Sequence, residues 1–261
     1  MIRAGNSYCD SQEHSVAARL LGDGDFVFEP EVIELRVEKV LRMQGYKDLS
    51  RVHPEILSIA EAMTALAQNE FKPAVHFKRV LVKGISGDAL ILETGSRLHS
   101  KAFKKFISDC GEIAVFVMTL GPALDETGRD MANSDKLVEA VFLETAGWLG
   151  IEQLTKLFSG ILRNVVAPDG LRLGRRMSPG YSFRAGGAKC EWPLEDQKLI
   201  FELFDQKKLP VALLDSCAMS PKMSRSGLYG LPRKSKSAQQ PGARTKNQSA
   251  KTSFTGSEKK K

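Results

Sequence analysis

The chain has 261 residues, 42% of them hydrophobic, with 38 Lys/Arg against 31 Asp/Glu and a formal charge of +7. That length is ample for one sizeable core, and no run approaches the ~20 apolar residues of a membrane helix. The charge is unevenly placed: from Arg233 to Lys261 there are nine basic residues and one acid, so the remainder is near neutral and nucleic-acid binding through the body is disfavoured.

Residues 1–25 are polar and contain Gly, and read as a flexible leader or a short lead-in strand. The apolar core of an export signal is missing from Met1 to Ser7, so a cytoplasmic location is expected. A helix is predicted between Val32 and Gly45, ending at that glycine. A second runs over about 54–69, with Pro54 in its first turn. Val75–Val82 and Ala89–Glu93, around Gly84 and Gly87, predict a strand–turn–strand unit. A short helix is expected from Ser100 to Cys110. The unbroken apolar run Ile113–Thr119 predicts a strand buried on both faces. Thr119-Leu120-Gly121-Pro122 then reads as a strand-to-helix turn, with an anion site at a helix N-terminus as the rival. Residues 136–163 predict a long helix, in which Gly147 and Gly150 mark close packing, a break or room for a ligand.

Residues 172–190 carry Gly, Arg and Ser without periodicity, and read as a loop. Trp192–Phe204 predicts a helix, Val211–Leu214 a strand, and Met223–Leu231 a further patterned stretch. From about Pro232 onward the composition is that of a disordered basic tail. A single α+β domain over 26–231, with a mainly antiparallel twisted sheet and flanking helices, follows.

Several chemistries are excluded. No Gly-x-Gly-x-x-Gly, no Gly-Lys-Ser/Thr loop and no Gly-x-Ser-x-Gly occurs. Cys9, Cys110, Cys190 and Cys217 are far apart, which suits free thiols in a reducing compartment better than a metal site. An Asp-x-His-x-x-Gly motif is missing as well.

Three segments remain: Arg176-Met177-Ser178-Pro179-Gly180-Tyr181, Trp192-Pro193-Leu194-Glu195-Asp196-Gln197, and Met219-Ser220-Pro221-Lys222-Met223-Ser224-Arg225-Ser226-Gly227-Leu228-Tyr229. In this order they resemble the activation (reactivation) domain of cobalamin (vitamin B12)-dependent methionine synthase, over about Glu31–Leu231, in its small free-standing form. Thr119-Leu120-Gly121 after a buried strand fits the same resemblance.

The resemblance implies an S-adenosylmethionine (AdoMet) site. The chain would act in trans on a cobalamin-carrying methionine synthase or another corrinoid protein, restoring it by reductive methylation of cob(II)alamin. A flavodoxin-like donor would supply the electron. Cobalamin would be presented only by the partner, so the chain is expected to serve methyltransferase activity without being a complete methionine synthase. The alternative is a corrinoid-protein-binding or chaperone module without methyl transfer.

On the same grounds Arg176 would take the ligand carboxylate, as a guanidinium fork suits. Gly180 would let backbone approach. Tyr181 and Tyr229 would face the sulfonium, by cation–π attraction of about 0.5–2 kcal/mol. Met177 would contact adenine through its backbone, and Glu152, with Glu144 as the fallback, would meet the ammonium. The segment 182–191 is longer than the resemblance predicts and reads as a lid or as a change to the entrance of the site.

Overall fold

The structure, a computed structural model, describes residues 19–22 and 25–234. Its main sheet is entirely antiparallel. The chain enters through β1 (Arg19–Gly22) and β2 (Asp25–Phe28), a hairpin laid along β3 (Ala74–Ser86). Between β2 and β3 stand α1 (Val37–Met43) and α2 (Pro54–Glu70). The far half of β3 pairs with β4 (Ala89–Leu92), and β4 with β5 (Arg97–His99). After α3 (Phe103–Phe106) comes β6 (Cys110–Thr119), paired with β3 from Ala74–Thr119 to Leu81–Glu112. Two helices follow, α4 (Ala123–Asn133) and α5 (Leu137–Val166).

The remaining chain supplies β7 (Arg176–Met177), the hairpin of β8 (Ser182–Ala185) and β9 (Ala188–Glu191), α6 (Gln197–Glu202), and the small pair β10 (Ala212–Leu213) and β11 (Met219–Ser220). It ends with β12 (Ser224–Pro232), which lies between β6 and β7, giving the order β1-β2-β3-β6-β12-β7.

Period-two alternation in β6 explains both cores. Ala114, Phe116 and Met118 point to the α1, α2 and α5 side, where they meet Val75, Phe77, Leu154 and Phe158. Ile113, Val115 and Val117 point to the opposite side, against Phe103, Trp192, Ile200 and Leu228. A strand buried on both faces needs an uninterrupted apolar run, which is how Ile113–Thr119 reads. The α5 helix spans about 45 Å at 1.5 Å per residue. Two of its three glycines, Gly147 and Gly150, serve close packing. A Cβ on Gly150 would sit 2.6 Å from Phe71 Cζ, and one on Gly147 would sit 3.0 Å from Met223 Cε.

Several expectations are corrected. No helix begins at Val32: helical hydrogen bonding starts at Val37, while Ile33 is buried and the Leu35 N–H donates to Gln68 Oε1. The helix expected over 100–110 is a single turn, because Cys110 already belongs to β6 opposite Pro232. Of the stretch read as a flexible leader or a lead-in strand, Arg19–Gly22 is strand, and residues 1–18 and 23–24 lie outside the described residues. Pro232 to Lys234 are not tail. Pro232 closes β12, Arg233 bridges Leu171, and the Lys234 N–H donates to Gly170 O. The rest of the expected tail also lies outside the described residues. The segment 182–191 is the β8–β9 hairpin. Its Phe183 lies against Phe106, and the Arg175 guanidinium covers both rings at 5.5 and 4.7 Å.

Among the described residues no helix is long and apolar enough to cross a membrane. They also contain no group of three or more His, Cys, Asp or Glu placed to hold a metal. Cys110, Cys190 and Cys217 are free and buried. Burial, with the negative Asp109 beside it, pushes the Cys110 thiol up to about 12, which leaves it protonated and inert.

Candidate functional site

The Arg176–Tyr181 segment lies where β7 ends and leaves β12, with Tyr229 across from it. Pairing places Arg176 opposite Tyr229 and Met177 opposite Leu228. Opposed residues share a face of the sheet. Arg176 therefore lies on the α5 side, and Met177 is buried on the other, in the core with Leu228 and Trp192. The Met177 side chain is therefore closed off from the α5 side. Arg176 is half-buried and makes no ion pair or side-chain hydrogen bond among the described residues.

Beyond Met177 the chain turns through Ser178, Pro179 and Gly180. Gly180 has φ +79°, a left-handed conformation that costs a side chain energy and glycine almost none. Its N–H donates to Trp192 O at 2.8 Å, and the Trp192 N–H donates back to Tyr181 O at 3.0 Å. The Trp192 indole is itself fixed by donating to Asp196 Oδ2 at 2.9 Å. The second quoted segment, Trp192 to Gln197, thus clamps the turn of the first. Gly227 on β12 matters for the same turn: a Cβ there would lie 2.3 Å from Met177 O and 2.6 Å from Ser178 Oγ.

The two tyrosines have different settings. Tyr181 is 56% exposed. Tyr229 is 4% exposed, and its ring packs on Phe116 and Phe158 at centroid distances of 5.6 and 6.1 Å. Its hydroxyl shares a 2.7 Å hydrogen bond with Ser159 Oγ on α5. The expectation of two open aromatic faces is corrected for Tyr229. Its face belongs to the core, because position 229 alternates with Gly227 and Leu231 on the α5 side, and only the hydroxyl end reaches polar surroundings. Burial raises the phenol above its ordinary value, against the Ser159 hydrogen bond and the charges of Arg176, Arg225 and Arg163.

The two candidate acids have different surroundings. Glu144 pairs with Lys222 at 2.6 Å, eight residues and about 12 Å along α5 from Glu152. It borders a groove of about 600 Å³ between α4 and α5, lined by Leu124, Leu137, Val141 and Met223 among others. Arg176 does not line that groove, so this concavity is separate from the β7 edge. Glu152 is the acid on the Arg176 side, with a side chain 47% exposed. Partial burial pushes its carboxyl up. The hydrogen bond and charge of Arg225 outweigh that, aided by Arg176 and Lys156, and hold it below its ordinary value.

Arg225, Thr155 and Ser159 were not singled out from sequence. Arg225 Nη2 donates to Glu152 Oε1 at 2.6 Å, and Nη1 donates to Thr155 Oγ at 2.8 Å. The available signal was an Arg inside an otherwise small and apolar strand pattern, since a buried guanidinium demands a partner. The Thr119–Pro122 segment is a plain turn, with Thr119 Oγ accepting from the Gly121 N–H at 3.1 Å and from Ser224 Oγ at 2.9 Å.

No family model matches the chain, and no curated protein matches it by sequence. Among solved structures it is similar to the MetH reactivation domain bound to AdoHcy (S-adenosylhomocysteine). The two share 15% identity over 85% of this chain and 82% of that one, with a TM-score of 0.53. The shared fold is one of mixed helices on a curled antiparallel sheet.

Proposed function

We propose that the chain binds AdoMet and AdoHcy at the open end of β7 and serves as a reactivation subunit, acting in trans on a cobalamin-carrying methyltransferase. The observation that carries this reading is that Arg176, without an ion pair or side-chain hydrogen bond among the described residues, lies on the α5 side of a glycine-turned strand edge, close enough for its charge to help hold the Glu152 carboxyl below its ordinary value. A zwitterionic amino-acid end needs that pair of opposite charges, one for each of its own. The likeness in fold to a domain bound to AdoHcy supports the choice of ligand.

In this reading the chain's own residues bind and orient the donor. Arg176 takes the carboxylate through charge-assisted hydrogen bonds. The free oxygen of Glu152 takes the ammonium. The Ser178–Tyr181 turn offers backbone to the nucleoside, and exposed Tyr181 offers a ring to the sulfonium. The methyl acceptor belongs to the corrinoid partner, and a flavodoxin-like protein would supply the electron. This chain contributes placement of the reacting methyl group.

Calorimetry with AdoMet and AdoHcy tests the reading directly. Arg176→Ala should weaken both about 10- to 100-fold, the scale of a lost charged hydrogen bond of about 1.5–3 kcal/mol. Absence of binding by the wild type at millimolar ligand would sink it.

A further inference from the structure

Arg225 is 8% exposed, with its stem in the α5-facing core and its head engaged on two sides. The Thr155 hydroxyl donates to Ile151 O at 2.7 Å, so its oxygen is free to accept from Arg225 Nη1. The guanidinium is thereby fixed by a helix hydroxyl on one prong and by Glu152 Oε1 on the other. Glu152 Oε2 has no hydrogen bond among the described residues, and its side chain is about half exposed. A buried ion pair is weak evidence of stabilisation, because well-packed apolar residues in its place are often as stable or more so. What the Arg does provide is one defined orientation of a carboxylate that would otherwise sample many rotamers on a helix surface.

We propose that Arg225 is a positioning residue of the β7 site, holding Glu152 so that its free oxygen receives the amino group of the ligand's amino-acid end. This rests on the AdoHcy-type reading given above. Arg225 does not touch the ligand; it acts through Glu152. The division of labour is then specific. Arg176 is the free cation for the carboxylate, and Arg225 is the tied cation that prepares the anion. Two arginines on one face do not make the site a plain anion trap, because one of them is already neutralised by Glu152.

The test compares two ligands on three proteins. AdoHcy carries the amino group; the analogue with hydrogen in its place keeps the carboxylate, sulfur and nucleoside. Calorimetry on the wild type should show AdoHcy bound tighter than the analogue. Arg225→Met, chosen for similar length without charge, should weaken AdoHcy about tenfold and leave the analogue within about twofold, the scale of losing one oriented charged contact. Arg225→Lys, which keeps a charge in case the Met variant folds poorly, should fall between them with the same selectivity. Equal losses for both ligands in the variants would show a merely structural Arg225 and overturn the proposal. Unchanged AdoHcy affinity would overturn it as well. A wild type that binds neither ligand would instead overturn the underlying AdoHcy reading, and the wild-type titrations alone identify that outcome.

Discussion

Gly227→Ala should damage the site through the backbone rather than through any ligand contact. The added methyl would lie 2.3 Å from Met177 O, 2.6 Å from Ser178 Oγ and 3.2 Å from Phe116 Cζ, where ordinary contacts begin near 3.4 Å. The nearest atom is backbone, so rotamer changes give no relief and β7 must retreat by about 1 Å. The strand that yields is predictable. β12 meets β6 over nine residue pairs but meets β7 over two, Leu228–Met177 and Tyr229–Arg176. Overpacking of this kind costs about 1–3 kcal/mol, and much of the strain should discharge into loss of the β7 bridge. Urea denaturation should therefore show a loss of about 2 kcal/mol. Hydrogen exchange should accelerate at residues 176–178 before it does in β6, and AdoHcy affinity should fall because Arg176 is no longer held. Gly160→Ala is the control: it is helical with nothing within 4 Å of the new Cβ, and should stabilise by about 1 kcal/mol. A Gly227→Ala protein with the wild-type urea midpoint and unchanged exchange at 176–178 would refute the close-approach argument.

Two further predictions concern α5. Tyr229→Phe keeps the packing on Phe116 and Phe158 and removes only the hydroxyl bonded to Ser159, which still donates to Thr155 O at 2.8 Å. The expected cost is about 0.5–1.5 kcal/mol by urea denaturation; a loss above about 3 kcal/mol, the upper end for an unsatisfied buried group, would mean that the hydroxyl has a larger structural role. The folded-state pKa of Glu152 lies below its unfolded value, held there by Arg225, with Arg176 and Lys156 adding to it. Its contribution to stability is therefore complete above the unfolded value of about 4.3 and is lost as pH falls through the lower folded value. An NMR titration of the Glu152 carboxyl should place its midpoint below that of an ordinary Glu, and a midpoint above it would contradict the Arg225 pairing.

How far the site was legible in the sequence depends on whether a residue acts by chain position or by side-chain direction. The Arg176–Tyr181 turn was legible because its glycine and its order relative to Trp192 are local properties, and the structure realises them as a left-handed turn clamped by Trp192. The β6 strand was legible because burial on both faces leaves an unbroken apolar run. Tyr229 was misjudged because its role depends on parity. Shifting β12 by one residue would swap the faces of Tyr229 and Leu228, and the pattern Ser-Arg-Ser-Gly-Leu-Tyr-Gly-Leu does not declare which face is which. Arg225 escaped notice for the same reason: only the pairing of β12 with β6 directs its side chain at Glu152 and Thr155. Glu152 was preferred to Glu144 on resemblance alone, and what separates their surroundings, Arg225 beside one and Lys222 beside the other, comes from outside the helix. The central strand β12 thus has a distinctive sequence but side-chain directions that the sequence does not reveal, since its partners come from β6, β7 and α5, all distant in the chain.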